Sequence, residues 1–246
     1  MDGLALAARG ITRREEHPLL FEPMTRRTFL RAAACGTGAL ALSACSGQAQ
    51  PSSDSSKQGD DAKFGSASDK LLTKPLDNGY SSGMHHAVIE VADFGTIEVE
   101  LNATNTPITV SNFAQLVNDG FYNGLTFHRI ISGFMIQGGD PKGDGTGGSQ
   151  RNIKGEFSAN GVVNAIRHKR GTISMARSND NNSASSQFFI MHQESSSLDG
   201  NYAAFGNVTS GMEVVDAIAE NTPVTDSNGT VAKENQPTIT SIKMVD

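Results

Sequence analysis

The chain lacks tryptophan and has only two cysteines, Cys35 and Cys45, among its 246 residues. Both lie near the N-terminus, so the long segment after Cys45 can form neither a disulfide nor a thiolate metal site. A large excess of basic residues is missing as well. The formal net charge is -6, and the lysines and arginines of the later segment are scattered. A nucleic-acid-binding surface usually shows a basic patch or stripe, so the composition argues against one.

The N-terminal part has the layout of a secretion signal. From Met24, a basic start with the adjacent Arg26 and Arg27 precedes a mostly apolar, uncharged run over residues 32–44. That run is too short to span a bilayer, which takes about 20 apolar residues. The paired arginines resemble the twin-arginine export signal. We therefore expect a signal peptide over residues 24–44. Residues 1–23 are an extension of unassigned role, and whether Met1 or Met24 is the true start stays open.

The end of the apolar run, Leu42-Ser43-Ala44-Cys45, resembles the lipobox of bacterial lipoproteins. In those proteins the cysteine becomes a diacylated N-terminus, and two acyl chains give stable anchoring. An ordinary signal peptide that ends near a cysteine is the alternative. We expect lipidation of Cys45 and an extracytoplasmic protein anchored in the cell membrane. Residues 45–84 are polar and poor in apolar side chains, which predicts a disordered tether.

Residues 85–246 show the pattern of a β-rich domain. Apolar and polar residues alternate over 87–91 and 96–101, which predicts two strands joined by a turn. A helix is expected to begin at Pro107, with Thr106 as its cap, and to end at Gly120. A second helix is predicted over residues 212–221. Several further short apolar runs favour a closed β-barrel plugged at its ends, although periodicity alone does not exclude a sandwich.

Four sequence blocks in this domain resemble the cyclophilin family of peptidyl-prolyl cis-trans isomerases. They read FHRIISGFMIQGGD over residues 127–140, GTISMAR over 171–177, SSQFFI over 185–190, and LDG over 198–200 followed by Phe205-Gly206. They occur in family order, and the resemblance covers residues 85–246. It implies a mainly β fold, a closed antiparallel eight-stranded β-barrel capped by two α-helices. It also implies a monomeric isomerase without cofactor or metal, whose partners are proline-containing peptides and unfolded exported proteins.

The chemistry of that reaction gives Arg129 a role. An amide resists rotation with a barrier of about 18–20 kcal/mol, and X–Pro bonds exchange slowly for this reason. No nucleophile and no metal are needed. A catalyst must hold the proline ring and stabilise a twisted amide whose nitrogen has become basic. A guanidinium aimed at that nitrogen binds the twisted form better than either planar form. Arg129 is the candidate catalytic residue, and a structural salt bridge is the alternative.

The resemblance also implies a binding site around Arg129. Gln137 and Gln187 are expected near the reacting carbonyl. Adjacent residues on a strand point to opposite sides, so Phe188 should face away from the site. The apolar pocket for the proline ring is assigned to four side chains: Phe134, Met135, Phe189 and Leu198.

The remaining predicted contacts lie around this pocket. The backbone at Ala176 and Arg177 is expected to pair with an extended substrate. His128 and Tyr202 are expected at the rim. Ser197 stands where many family members carry a tryptophan that forms a pocket wall and a hydrogen bond to cyclosporin, so weak cyclosporin binding is expected with activity retained. A binding module that holds proline-containing segments without turnover is the alternative function.

Overall fold

An antiparallel sheet dominates the part of the chain that the computed structural model describes, residues 71–246. The predicted signal peptide, the extension before it and Cys45 lie outside the described residues. The eight strands of the sheet are β2 Met84–Val91, β3 Gly95–Asn102, β4 Thr126–Ile131, β5 Met135–Asp140, β7 Thr172–Met175, β8 Phe188–Met191, β9 Ala204–Ser210 and β10 Ile239–Met244. Their order across the sheet is β10-β2-β3-β9-β7-β8-β5-β4.

Within residues 71–246, two α-helices and a small parallel sheet accompany this sheet. The helices are α1, Pro107–Asn118, and α2, Met212–Asn221. The small sheet pairs β1, Leu71–Leu72, with β6, Asn152–Ile153. The mainly β class, the eight antiparallel strands and the two helices are confirmed. Within residues 71–246, neither helix has the length and apolar character needed to cross a membrane.

The sheet is open, and the prediction of a closed barrel is wrong in this respect. The edge strands β4 and β10 form no continuous ladder: an isolated bridge joins Thr126 to Thr238, and a few backbone hydrogen bonds lie beside it, such as those from the Phe127 N–H to Pro237 O and from the Ile239 N–H to Leu125 O. Most of the outer edge of β4 is occupied by residues 229–231 instead, because Ile130 N–H donates to Gly229 O and the N–H of Val231 donates to His128 O. Next to the bridge, Pro237 has no N–H with which to extend a ladder. The edge is thus covered by a loop rather than by a strand.

The hairpin of β2 and β3 follows the predicted alternation. Ile89 and Val91 are buried on β2, and Ile97 and Val99 are buried opposite on β3, while their neighbours are more exposed. The turn between the strands places Asp93 at φ 65°, a left-handed conformation that an aspartate tolerates better than most residues. One face of the hairpin therefore builds the core.

Helix α1 begins at Pro107 as expected and Thr106 is its N-cap residue, but the Thr106 side chain makes no cap hydrogen bond. The Thr106 hydroxyl donates to Asn102 O at 2.9 Å. The carboxylate of the buried Glu156 accepts instead from the N–H groups of Ile108 at 3.0 Å and Thr109 at 2.8 Å. A negative charge is favourable at the positive end of a helix. Burial raises the pKa of Glu156, although these donors lower it.

The folded part extends further toward the N-terminus than predicted. Residues 71–84, assigned to the tether, lie on the domain through β1 and through two contacts with Ser111. The Leu76 N–H donates to the hydroxyl of Ser111 at 3.0 Å, and the Asn78 side chain donates to its carbonyl at 2.9 Å. The predicted domain start at residue 85 is therefore too late.

The buried apolar residues of the described domain form two separate clusters. The main core joins the buried faces of both helices to the sheet and contains a group of packed rings: Phe113, Tyr122, Phe127, Phe188 and Phe205. The second, which we call the site cluster, consists of Phe134, Met135, Phe189, Met191 and Leu198. Strand β8 contributes Phe188 to the main core and Phe189 to the site cluster, which confirms that Phe188 faces away.

Candidate active site

The four side chains predicted to form a proline pocket come together in the site cluster. Phe134 comes from the turn before β5, Met135 from the first position of β5, Phe189 from β8, and Leu198 from a 3₁₀ turn over Ser196–Leu198. Met191, which sequence reasoning missed, joins them from β8. These five side chains are at most 9% exposed, and the partly buried Ile131, Ala176 and Tyr202 pack against them.

Arg129 lies on β4 and is fixed from both sides. On one side, its Nε donates to Asn228 O at 2.8 Å and its Nη2 donates to Asn228 Oδ1 at 3.1 Å. On the other, its Nη1 donates to Gln137 Oε1 at 3.2 Å and lies 4.0 Å from Met135 Sδ. Nη1 is therefore the nitrogen that contacts the site cluster. Burial lowers the pKa of Arg129, but a guanidinium remains charged under all ordinary conditions.

Gln137 and Gln187 form a hydrogen-bonded chain that starts at Arg129. Gln137 Nε2 donates to Gln187 Oε1 at 2.8 Å. Gln187 Nε2 donates in turn to the carbonyls of Gly147 at 2.8 Å and Gly145 at 3.1 Å. Because each amide both donates and accepts, its orientation is fixed by its neighbours. The two predicted glutamines are thus brought together beside the guanidinium.

Ala176 and Arg177 lie at the border of the site cluster. The N–H of Ala176 donates to Gln187 O at 2.9 Å, so this donor is already used within the domain. The Arg177 guanidinium donates to Asn201 O from both Nε and Nη2, and to Ser178 O from Nη1. Its Cζ lies 4.8 Å from the ring centroid of Tyr202. The prediction concerned only the backbone of Arg177, whereas the structure also places its side chain at the rim.

Tyr202 is partly buried and packs at the edge of the site cluster, and His128 lies deeper. The Tyr202 ring meets Phe189 edge to face, with centroids 5.9 Å apart at 83°. Burial raises the pKa of Tyr202. His128 is only 4% exposed, and within residues 71–246 neither ring nitrogen has a hydrogen-bond partner. It lies next to Gly145, where an added Cβ would be 3.8 Å from His128 Nε2. Burial lowers its pKa.

His168, a buried histidine that was not predicted as a site residue, packs against Phe189 of the site cluster. The His168 ring stacks on Phe189 at 6.0 Å and 18°. Its Nδ1 lies 3.1 Å from Asp199 Oδ1, and its Nε2 lies 3.0 Å from Ser174 Oγ. Burial lowers the pKa of His168, although Asp199 raises it. The three residue types match a nucleophilic triad, but Ser174 is fully buried and cannot meet a substrate. The chain of hydrogen bonds instead fixes a support for Phe189.

A comparison of the sequence with models of known protein families identifies the family of this domain. A family model described as cyclophilin type peptidyl-prolyl cis-trans isomerase/CLD matches residues 86–244. The chain belongs to the cyclophilin-type peptidyl-prolyl cis-trans isomerases. This cyclophilin is therefore an enzyme that catalyses cis-trans isomerisation of the peptide bond before proline.

Bacterial and eukaryotic cyclophilins are both similar to it. Peptidyl-prolyl cis-trans isomerase B of Bacillus subtilis (strain 168) is 46% identical over 142 residues, which is 58% of this chain and 90% of that protein. The peptidyl-prolyl cis-trans isomerase of Synechococcus elongatus is 46% identical over 123 residues, 50% of this chain and 79% of that protein. A crystal structure of a Cryptosporidium parvum cyclophilin type isomerase is 30% identical, with a TM-score of 0.59, and covers 67% of this chain and 99% of that one.

Proposed function

We propose that Arg129 is the catalytic residue and that the site cluster binds the proline ring of the substrate. Rotation about the X–Pro bond breaks the conjugation between the nitrogen lone pair and the carbonyl. The nitrogen then becomes a hydrogen-bond acceptor, which it is not in either planar isomer. A donor that waits at this position stabilises the transition state more than the ground state and so lowers the barrier.

The position of Nη1 carries this proposal. It is the guanidinium nitrogen that lies 4.0 Å from Met135 Sδ, at the apolar cluster, while Nε and Nη2 are tied to Asn228. A ring seated on Met135 would bring its imide nitrogen close to this donor. Gln137, which accepts from the same Nη1 and donates one N–H to Gln187, has a second N–H with which to bind the carbonyl of the twisting bond.

Arg129→Ala tests the catalytic role against the alternative of a binding module. In a protease-coupled assay on an Ala-Pro-Phe peptide, we expect kcat/KM to fall by about 10²- to 10³-fold, the usual effect of removing one preorganised donor. Peptide binding, followed by NMR titration, should be largely kept. Arg129→Lys is the matched variant, and it should recover only part of the activity because an ammonium lacks the planar fork. No turnover by the unaltered protein would favour the binding module.

The second part of the proposal concerns where the enzyme works. We infer that it is exported, anchored through a lipid on Cys45, and isomerises X–Pro bonds of proteins that fold outside the membrane. The signal-like residues 24–44 and the lipobox-like end at Cys45 support this. A related Cryptosporidium parvum cyclophilin was crystallised in the presence of the dipeptide Ala-Pro, which supports proline-containing peptides as ligands.

The two cysteines provide a matched pair of variants for the anchor. Mass spectrometry of the mature protein should find an N-terminal, acylated Cys45. Cys45→Ser should move the protein from the membrane fraction to the soluble fraction, whereas Cys35→Ser, which changes a cysteine within the predicted signal peptide, should leave it in place. An intact N-terminus with an unmodified Cys45 would contradict lipidation.

A further inference from the structure

The Arg177 side chain is a fixed cation at the rim of the proposed proline pocket. All three nitrogens of its guanidinium donate hydrogen bonds, two to Asn201 O at 3.0 and 2.9 Å and one to Ser178 O at 2.9 Å. The group also lies against two rings, 4.8 Å from the centroid of Tyr202 and 5.1 Å from that of Phe157. Such packing restricts a side chain that would otherwise sample many rotamers.

The charge of Arg177 is not neutralised by the domain. Its acceptors are neutral carbonyls, and within residues 71–246 no carboxylate forms an ion pair with it. The nearby acidic groups are engaged elsewhere: Asp199 contacts His168 and Arg167, and Asp180 accepts from the N–H of Asn182. A guanidinium has five N–H donors, and these three bonds use three of them. Two donors can therefore meet a carboxylate.

Arg177 is close enough to the pocket to act on a bound peptide. Tyr202, whose ring it contacts, packs on Phe189 of the site cluster at 5.9 Å. An extended peptide advances about 3.3 Å per residue, so a side chain within about three positions of the proline reaches the Arg177 side chain.

We propose that Arg177 is a specificity-determining residue that makes the enzyme favour X–Pro segments with an aspartate or glutamate close to the proline. A carboxylate would accept two hydrogen bonds from the planar guanidinium. Because the rings beside it exclude water on two sides, the pair is stronger than one on an open surface, and an exposed pair contributes about 0.2–1 kcal/mol. This inference rests on the site cluster as the proline pocket, but not on Arg129 as the catalytic residue.

Peptides that differ in one charge test the preference. The series carries Glu, Gln or Lys at the position before proline or at the one before that, with a neutral acetyl cap and a neutral C-terminal anilide. We expect kcat/KM to be about 3- to 10-fold higher for Glu than for Gln in at least one of the two positions, and lower for Lys. At 1 M salt, where the Debye length is about 3 Å, the difference should nearly vanish.

Arg177→Gln should remove the difference between the Glu and Gln peptides, whatever it does to the overall rate. Lys243→Gln is the matched control, since it makes the same charge change at a side chain that pairs with Glu90. It should keep the preference. Arg177→Lys retains the charge and should keep a reduced preference. Equal kcat/KM for all three peptides, or a preference that persists in Arg177→Gln, would overturn the proposal. Dissociation constants measured with Arg129→Ala separate this outcome from a failure of the catalytic assignment.

Discussion

The main core and the site cluster share the same strands but differ in what surrounds them. Phe188 and Phe189 are consecutive on β8, yet Phe188 packs among rings of the main core while Phe189 packs against His168 and Tyr202. Both side chains are buried, at 0% and 5% exposure. Burial alone therefore does not distinguish a core residue from a site residue in this domain.

Polar neighbours make the difference. The packed rings of the main core contact other apolar side chains, whereas the site cluster borders Arg129, Gln137 and His168, each held by hydrogen bonds. These bonds fix the polar groups before a substrate arrives. A site that is already ordered loses less entropy on binding and holds its donors in place for the transition state. The main core stabilises the fold, and this stability keeps the apolar side chains of the site cluster in place for a substrate.

The prediction with the largest expected effect concerns the replacement of each of these two phenylalanines in turn. Phe188→Ala should lower the free energy of unfolding by about 3–5 kcal/mol, because it leaves a cavity among packed rings. Phe189→Ala should cost less stability, since Phe189 packs partly against the half-buried Tyr202, but should lower kcat/KM by about tenfold or more through the lost pocket wall. Denaturant titration and the protease-coupled assay measure the two effects. Equal losses of stability with no selective loss of activity would contradict the division into two clusters.

A smaller test loosens one polar group of the site. Asn228→Ala removes the side-chain acceptor of Arg129 Nη2 but leaves the backbone acceptor of Nε. We expect kcat/KM to fall about tenfold, which corresponds to one hydrogen bond to a charged group, with little change in unfolding.

Ser227→Ala, which changes a side chain that lines the cavity between β4 and α2, is the control for that substitution. It should leave kcat/KM unchanged. Asn228→Ala should also have no further effect when Arg129 is already alanine, because the contact it removes is then absent. A tenfold loss that persists without Arg129 would assign Asn228 a role other than positioning.

Local patterns in the sequence predicted several elements of the fold. Alternation predicted β2 and β3, and Pro107 predicted the start of α1, because these signals depend on neighbours within a few residues. Two features were not predicted because they depend on contacts between residues far apart in the chain. Glu156 caps α1 from 47 residues away in the chain, where no local pattern points to it. The open edge of β4 depends on where the loop at Gly229 folds back, which periodicity does not report.

The site was predicted by resemblance rather than by pattern. Phe134 and Leu198 would look like ordinary core residues without the four blocks that identify them. His168 and Asn228 were missed because their roles depend on contacts with Asp199 and Arg129 that only the folded chain creates. An Asn-Gly pair signals a turn at Asn228, but a turn signal does not say which side chain the turn will hold. His128 was placed at the rim although it is buried, since strand alternation is disturbed by the irregular register of β4.

Acid should weaken the fold through two of its buried histidines, His128 and His168. Burial lowers the pKa of both His128 and His168 in the folded state. A base with a lowered folded pKa contributes stability above its unfolded pKa, about 6.5, and loses it as the pH falls toward the folded value. The free energy of unfolding should therefore decrease below about pH 6.5, by at most about 1.4 kcal/mol per pH unit for each histidine.

Substitution separates the two contributions to this pH dependence. His128→Asn should reduce the slope measured by denaturant titration between pH 7 and pH 5, relative to the unaltered protein. Glu156 acts in the opposite direction, since its raised pKa favours the folded state at low pH. Its contribution is common to both proteins and cancels in their difference. An identical slope in His128→Asn would show that this histidine is not neutral in the fold.

The smallest expected effect is a change in cyclosporin affinity on substitution of Ser197, at the border of the site cluster. This residue is exposed, and its hydroxyl lies 3.0 Å from that of Ser195, next to the buried Leu198. An indole at this position would extend the apolar wall beside Leu198 and supply one N–H donor. We expect Ser197→Trp to tighten cyclosporin binding by about fivefold or more, at about 1 kcal/mol for the added contacts, with isomerase activity retained. Ser196→Trp is the control, since it adds the same ring one residue away, and it should not change the affinity. Nanomolar inhibition of the unaltered protein would mean that the cluster needs no wall at this position.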